Sequence, residues 1–212
     1  MPCPTCGADL ETPLGCHACG VLLQPDETPT PFAAFGLEPA WGVDKKDLKR
    51  RLLSCTRLCH PDHHATSPPA VKRLAEEHSA LLNHAYEVLL DDFLRADWLT
   101  LHLGGPRESE ERQMPQAFLM EVLEWNEALE DAERSSAGSP ERAALEGLGV
   151  TLHREHERQL AGVGAALEPL PERGAPELAG VRRQLNAVRY LSRTLYKIRD
   201  LRFAEVPAPT DH

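Results

Sequence analysis

Two Cys-x-x-Cys pairs, Cys3 with Cys6 and Cys16 with Cys19, open the chain, and a glycine follows each. At this spacing two thiolates reach one ion from a single tight turn, and the glycine lets the backbone fold around the sulfur. With nine residues between the pairs, four sulfurs can close a tetrahedron. Such a set suits a structural Zn2+, and iron in a rubredoxin-like site is the alternative, because four thiolates do not by themselves choose the metal. His17 lies inside the second pair, but four cysteines already fill the coordination number. Cysteines so spaced belong to metal or redox chemistry in a reducing compartment, so the cytoplasm is the expected setting, or a mitochondrial matrix for a eukaryotic source. Cys55 and Cys59, four apart behind Leu48 and Leu52, read instead as buried thiols on one helix face.

A second group of residues stands at His60-Pro61-Asp62. Pro61 fixes its own φ and has no N–H to donate, so it ends the preceding helix and holds two polar side chains at a rigid tip. The segment before it, Asp44 to Cys59, carries six basic residues against two acidic ones in a chain of net charge −10. That segment calls for an acidic partner surface, although a solvated charged face would look the same for any single lysine.

The 10 histidines invite an enzymatic reading. His60, His63 and His64 cluster, and His153 and His156 are three apart, but none joins a recognisable nucleophile, phosphate loop or H-E-x-x-H site. No catalytic residue is assigned, and the expectation is a protein that is not an enzyme. The overall negative charge disfavours nucleic acid, which needs clustered Lys and Arg. No apolar run approaches the roughly 20 residues of a membrane span, and no signal-peptide pattern opens the chain, so a soluble, unsecreted protein is expected.

The elements that must position these residues are helices. Apolar residues make up 42% of the 212 residues but aromatics only 5%, and the apolar ones recur at three- and four-residue intervals. The expected class is all-α: a helical hairpin and a C-terminal three-helix bundle, preceded by a small zinc-ribbon-like knuckle module. The module occupies residues 1–23, with a Pro-, Asp- and Thr-containing linker over 24–31. Next come a short apolar segment near Phe32 to Leu37, a helix from about Asp44 to Cys59 and a loop through Ser67. A long helix then runs from about Pro69 to Leu90, and the pattern continues through Phe93 to Leu103. Asp44 and Asp47 make an N-cap and N3 pair, and Ser67-Pro68-Pro69 is a start signal. In the long helix Val71, Leu74, Leu81, Ala85 and Val88 form the expected apolar stripe. A loop spans 106–115, and helical stretches over 116–134, 140–167 and 177–203 build the bundle within 116–205. A disordered tail is expected over 206–212.

The first bundle helix has two apolar faces. At about 100° per residue, Phe118, Val122, Trp125 and Leu129 fall within about 60° of one another and form a core stripe. Leu119, Met120 and Leu123 lie off it, among Glu124, Glu127 and Asp131. Either this helix is buried on two sides, or the second face is an interaction patch. On the last helix Leu185, Val188, Leu191, Leu195 and Ile198 supply the core, and Tyr190 is expected to point away from them.

A His-Pro-Asp loop between a basic amphipathic helix and a long apolar-striped helix resembles a J-domain, here over residues 32–105. Three runs extend the likeness: NHAYEVL from Asn83, FLRADWLTLHLG from Phe93 and AFLMEVLEWNEAL from Ala117. Over about residues 32 to 203 the chain resembles HscB, the J-domain co-chaperone of iron-sulfur cluster assembly. It has neither the Gly/Phe-rich linker nor the β-rich region of general DnaJ proteins. The four-cysteine extension departs from the short bacterial form and is similar to that of eukaryotic homologues.

The resemblance implies that His60, Pro61 and Asp62 trigger ATP hydrolysis by a DnaK-type, HscA-like chaperone. It implies, by general position, that Lys45, Lys46, Lys49, Arg50 and Arg57 dock on that chaperone. An IscU-type iron-sulfur scaffold protein would be held by Leu119, Met120, Leu123, Glu124, Glu127, Asp131 and Tyr190. Two other functions stay open: a J-domain protein serving a different client, and a four-cysteine redox or electron-transfer protein.

Overall fold

The computed structural model describes residues 1–136 and 138–203; the tail expected over 206–212 lies outside them. Among the described residues there are seven α-helices, α1 (Pro31–Ala34), α2 (Lys45–Cys59), α3 (Pro69–Leu90), α4 (Asp92–His102), α5 (Gln116–Arg134), α6 (Pro140–Ala166) and α7 (Glu177–Phe203), with a 3-10 turn at Pro61–His64. The cysteine segment contributes only isolated bridges, Pro2 with Asp9, Thr12 with Gly15 and Gly15 with Leu22. The all-helical class expected from periodicity is the one observed.

Local chemistry sets the helix starts. Asp44 caps α2, its Oδ1 accepting from the N–H groups of Lys46 (2.8 Å) and Asp47 (3.2 Å). Only half of the expected reciprocal pair forms, because the Asp47 carboxylate is taken by Arg50 and Arg51. Arg51 and then Arg50 hold that carboxyl below its ordinary range. Thr30 and Ser139 cap α1 and α6, each with a proline at the first helical position, where a missing N–H removes nothing from the helix. Pro68 and Pro69 start α3 without a side-chain cap.

The chain folds as two compact units, Met1–Leu99 and the residues from Thr100 onward. In the first, the α2–α3 hairpin buries Leu48, Cys55, Leu58 and Cys59 together with Ala75, Leu82, Ala85 and Leu89. The stripe on α3 differs in part from the expected one: Ala85 and Val88 are buried as expected, but Val71, Leu74 and Leu81 are only half-buried, and the inward line is Ala75, His78, Leu82, Ala85, Val88 and Leu89. The reason is His78, which reads as a surface residue by composition. It is buried and donates from Nε2 to the Leu23 carbonyl at 2.8 Å, so its polar ring satisfies the rule that interior polar groups find partners.

That bond also ties the cysteine segment to the hairpin. Leu14 is fully buried, Thr12 Oγ1 donates to the Ala34 carbonyl at 2.8 Å, and the backbone of Glu11 passes so close to Gly36 (φ 63°) that a Cβ there would meet its carbonyl oxygen. Arg95 is the largest buried charge of this unit. Its guanidinium donates to the carbonyls of Trp41 (2.9 Å) and Leu89 (2.6 Å), pairs with Asp92 (2.7 Å) and lies over the Trp41 ring, which satisfies it on every side.

In the second unit Phe118, Val122, Trp125, Leu129 and Ala132 of α5 pack with Leu145 and Leu152 of α6 and with Ala187, Leu191 and Ile198 of α7. The α5 stripe is therefore the expected one. Helices α6 and α7 run antiparallel, with Arg142 near the start of α6 donating to the Leu201 carbonyl at 3.2 Å. Tyr190 departs from its expected outward position. It is half-buried against this core, its ring edge-on to Phe118 and its hydroxyl donating to Asn126 Oδ1 at 2.7 Å, because its aromatic body fills the seam between α5 and α7 while its polar end reaches a partner. The loop before α5 is clipped to α7: Arg182 Nε donates to the Pro106 carbonyl at 2.8 Å, and Asn186 Nδ2 donates to those of Glu111 (2.8 Å) and Gln113 (2.9 Å). No described helix is long and apolar enough to cross a membrane.

Candidate functional site

The four cysteines converge. Cys3 Sγ and Cys19 Sγ are 3.8 Å apart, Cys6 Sγ and Cys16 Sγ 3.7 Å, and all four sulfurs lie within 4.8 Å of one another. Sulfurs around a tetrahedral ion with bonds of about 2.3 Å stand about 3.8 Å apart, so the geometry fits a four-thiolate metal site. The two turns are built alike: Gly7 N donates to the Cys3 carbonyl at 2.9 Å and Gly20 N to the Cys16 carbonyl at 2.8 Å, with φ of 75° and 76° at the glycines. These backbone angles favour glycine, which explains its place after each second cysteine.

The thiols are mutually dependent. Burial raises Cys3, but hydrogen bonds from the N–H groups of Thr5 and Cys6 outweigh it and bring that thiol down to about 6. At Cys6 the N–H of Ala8 pulls downward, yet Cys19 and the other crowded sulfurs push the thiol up to about 12. Sulfurs this close repel one another once ionised, and a cation among them removes that repulsion. Cys55 and Cys59 stand outside the site: burial pushes them up to about 11 and about 12, which leaves them as protonated, inert thiols near neutral pH.

The His60-Pro61-Asp62 tip closes α2. His60 takes extended backbone angles as the last cap, and its Nδ1 accepts from the Asp62 N–H at 3.3 Å. His64 Nε2 donates to the Leu58 carbonyl at 2.9 Å and Ser79 Oγ to that of Cys59 at 2.9 Å. The open carbonyls in the last turn of α2 thus find donor partners, and the tip is held from both ends. His60 and Asp62 are exposed, with Pro61 half-buried between them.

Five basic residues of α2, Lys45, Lys46, Lys49, Arg50 and Arg57, are exposed, but their partners differ. Lys45 lies 3.4 Å from Asp92 and Arg50 pairs with Asp47; Lys46, Lys49 and Arg57 line the outer face. Sequence reasoning passed over Leu53, which is 53% exposed and falls, at 100° per residue, on the same face. The signal was present: a leucine seven residues after Lys46 and four before Arg57 has the phase of the charges, not of Leu48 and Leu52.

On α5, Leu119, Met120 and Leu123 are 42%, 69% and 61% exposed, and Glu124, Glu127 and Asp131 are exposed beside them. The helix is therefore not buried on two sides. Such a cluster of large apolar side chains is a mark of a contact surface.

Comparison with known proteins fits both units. Residues 114–199 match the HSCB C-terminal oligomerisation domain. The chain is 33% identical over 161 residues, 71% of its length, to a co-chaperone protein HscB homolog from Bordetella petrii, of which the match covers 95%.

The chain belongs to the HscB co-chaperone family.

A second HscB homolog, from Burkholderia mallei, is 35% identical over 148 residues, 69% of this chain and 82% of that one. Human co-chaperone protein HscB has a crystal structure that superposes with a TM-score of 0.72 at 25% identity, over 98% of this chain and 100% of that one. HscB from Vibrio cholerae, at 22% identity and a TM-score of 0.67 over 84% of this chain and all of its own, shares the fold. HscB proteins are co-chaperones, not enzymes, which agrees with the absence of a catalytic motif in the sequence. This HscB-family chain carries a charged loop-and-helix face in the first unit and an apolar-acidic face on α5 in the second.

Proposed function

We propose that this chain stimulates the ATPase of a DnaK-type, HscA-like chaperone and delivers to it an IscU-type iron-sulfur scaffold protein. In this reading residues 32–105 act as the J-domain and 116–205 as the scaffold-holding bundle. His60, Pro61 and Asp62 trigger hydrolysis, while Lys45, Lys46, Lys49, Arg50 and Arg57 dock on the chaperone, with Leu53 as an apolar contact among them. Leu119, Met120, Leu123, Glu124, Glu127 and Asp131 hold the scaffold. Tyr190 borders that surface, its ring supporting Phe118.

One observation carries the reading: three large apolar side chains stand in water on α5 although the opposite face of the same helix is a complete core stripe. Folding of the bundle does not need them, so binding is the use left to them. Zn2+ is the ion we assign to Cys3, Cys6, Cys16 and Cys19, in a structural role, since the four sulfurs leave no position open for a substrate. A reducing compartment, the cytoplasm in a bacterium, suits those thiolates.

The test is single-turnover ATP hydrolysis by the cognate DnaK-type chaperone with this chain, with and without the scaffold. Stimulation by the chain alone, raised further by the scaffold, is the expected result. Stimulation that the scaffold leaves unchanged, with no binding in a titration, points to a different client. Purified protein that is colourless and contains zinc meets the metal assignment, and a red protein containing iron overturns it.

A further inference from the structure

Beside the α5 patch the second unit holds a cavity of about 470 Å³ between the loop before α5 and α7. Arg112, Arg189 and Arg193 line it, with Tyr190 and Met114 on the side toward α5. Tyr190 and Met114 both pack against the core cluster that contains Phe118, and the Tyr190 hydroxyl donates to Asn126 Oδ1, which at about 100° per residue lies within about 60° of Leu119 and Leu123 on α5. The cavity and the apolar patch therefore adjoin across Tyr190.

Its electrostatics are unusual for a chain of net charge −10. Arg189 is paired with Glu108, but Arg112 and Arg193 are exposed and have no ion pair among the described residues. Guanidinium forks without a carboxylate present paired donors whose geometry matches a planar anion. A second observation points the same way. Asn186 lines the cavity, is 9% exposed, and its Oδ1 is buried without a hydrogen-bond partner. The amide cannot simply be reversed, because its Nδ2 donates to two backbone carbonyls, those of Glu111 and Gln113, so the unpaired atom is the acceptor. A buried acceptor left over in a built wall is a place where a donor is missing.

We infer that this cavity receives an acidic segment of the scaffold protein, a side-chain carboxylate set on Arg112 and Arg193 with a peptide N–H of the same segment donating to Asn186 Oδ1. The inference rests on the reading of α5 as the scaffold surface and extends it: the bound partner covers Leu119, Met120 and Leu123, crosses Tyr190 and ends in the arginine cavity. The α5 end of this surface, with Glu124, Glu127 and Asp131, is acidic and the cavity end is basic. The partner must therefore carry charges of the opposite order, and this fixes its direction on the bundle.

The experiment is a calorimetric titration of the full chain with the scaffold at low and high salt. It compares the parent, Arg112→Gln with Arg193→Gln, and Leu119→Ala with Met120→Ala and Leu123→Ala. Both arginines are exposed, so a thermal melt should show the double variant folded as the parent is. The expected result is a roughly 10- to 100-fold weaker Kd for the arginine variant at low salt, with a smaller salt dependence than the parent. Arg112→Lys with Arg193→Lys should restore only part of the affinity, because the charge returns without the fork.

Parent-like affinity and salt dependence in the arginine variant, with binding lost in the apolar variant, overturns the cavity and leaves the α5 surface standing. Absence of binding by the parent overturns both. If inorganic phosphate shifts the resonances of Arg112 and Arg193 while the scaffold does not, the cavity is a small-anion site and the inference fails.

Discussion

The outer face of α2 and the outer face of α5 solve different problems. On α2 charge dominates, with a single exposed leucine, and the adjoining tip is held by backbone-directed hydrogen bonds. On α5 three large apolar groups stand together, with carboxylates at their border. Charged faces act mainly on encounter rate and fade with salt, whereas apolar contacts excluded from water act on residence time. The comparison teaches that a charged face and an apolar-acidic face stand on two separate compact units; under the proposed function the first recruits and the second retains. Each face can then be weakened without touching the other.

The largest expected effect falls on the tip. His60→Gln should abolish stimulation of the chaperone ATPase in single-turnover measurements, while the unfolding free energy stays within the small range of surface substitutions, about 0.5 kcal/mol, and scaffold binding is unchanged. Parent-like stimulation by this variant would dissolve the distinction between the two faces.

Next comes the α5 face. Leu119→Ala with Met120→Ala and Leu123→Ala should weaken scaffold binding by about 1 to 2 kcal/mol for each central contact, with no loss of scaffold-independent stimulation. Truncating a buried leucine of the same bundle, such as Leu191, should instead cost about 2 to 5 kcal/mol of stability. A melt and a titration separate the two outcomes, and a destabilised triple variant sinks the contact-surface assignment.

A third variant sharpens the division between units. Cys3→Ser with Cys6→Ser should remove the bound metal, measured by elemental analysis. It should also lower the stability of the first unit by about 2 to 4 kcal/mol, because Leu14, Thr12 and Leu23 bind that segment to the hairpin. Most of the helical circular dichroism and all of the scaffold affinity should remain. The smallest effect belongs to the charges: Lys46→Gln with Lys49→Gln and Arg57→Gln should weaken chaperone binding several-fold at low salt and almost not at all near 1 M, where the screening length is about 3 Å. An equal loss at both salt concentrations would mean these side chains act by packing.

Most helices could be read from the chain because their signals are local. Asp44, Pro68 with Pro69, and the periodic stripe of Phe118, Val122, Trp125 and Leu129 lie next to what they specify. The four-cysteine site was legible for the same reason, its ligands being two short repeats of one turn. What escaped depends on contacts distant in sequence. His78 is buried because a carbonyl 55 residues earlier accepts its N–H, and this moves the inward stripe of α3. Tyr190 has the phase of an outward residue on α7, yet α5 offers it Asn126 and the edge of Phe118. Periodicity records the face of a helix, not which neighbour will cover its margin.

The tip after α2 carries a last consequence. Fixing the backbone of one residue costs about 1 to 2 kcal/mol of conformational entropy. In this loop the 3-10 turn, the Asp62 N–H on His60 and the His64 bond to Leu58 impose that order during folding. A partner that grips His60 and Asp62 therefore meets a loop already in shape. Its affinity suffers little ordering loss, and little of the binding free energy is diverted from the contact itself. Replacing Pro61 by glycine would return that freedom to the unbound loop, and the added cost would appear in calorimetry as a less favourable entropy of association with the His60 and Asp62 side chains still in place.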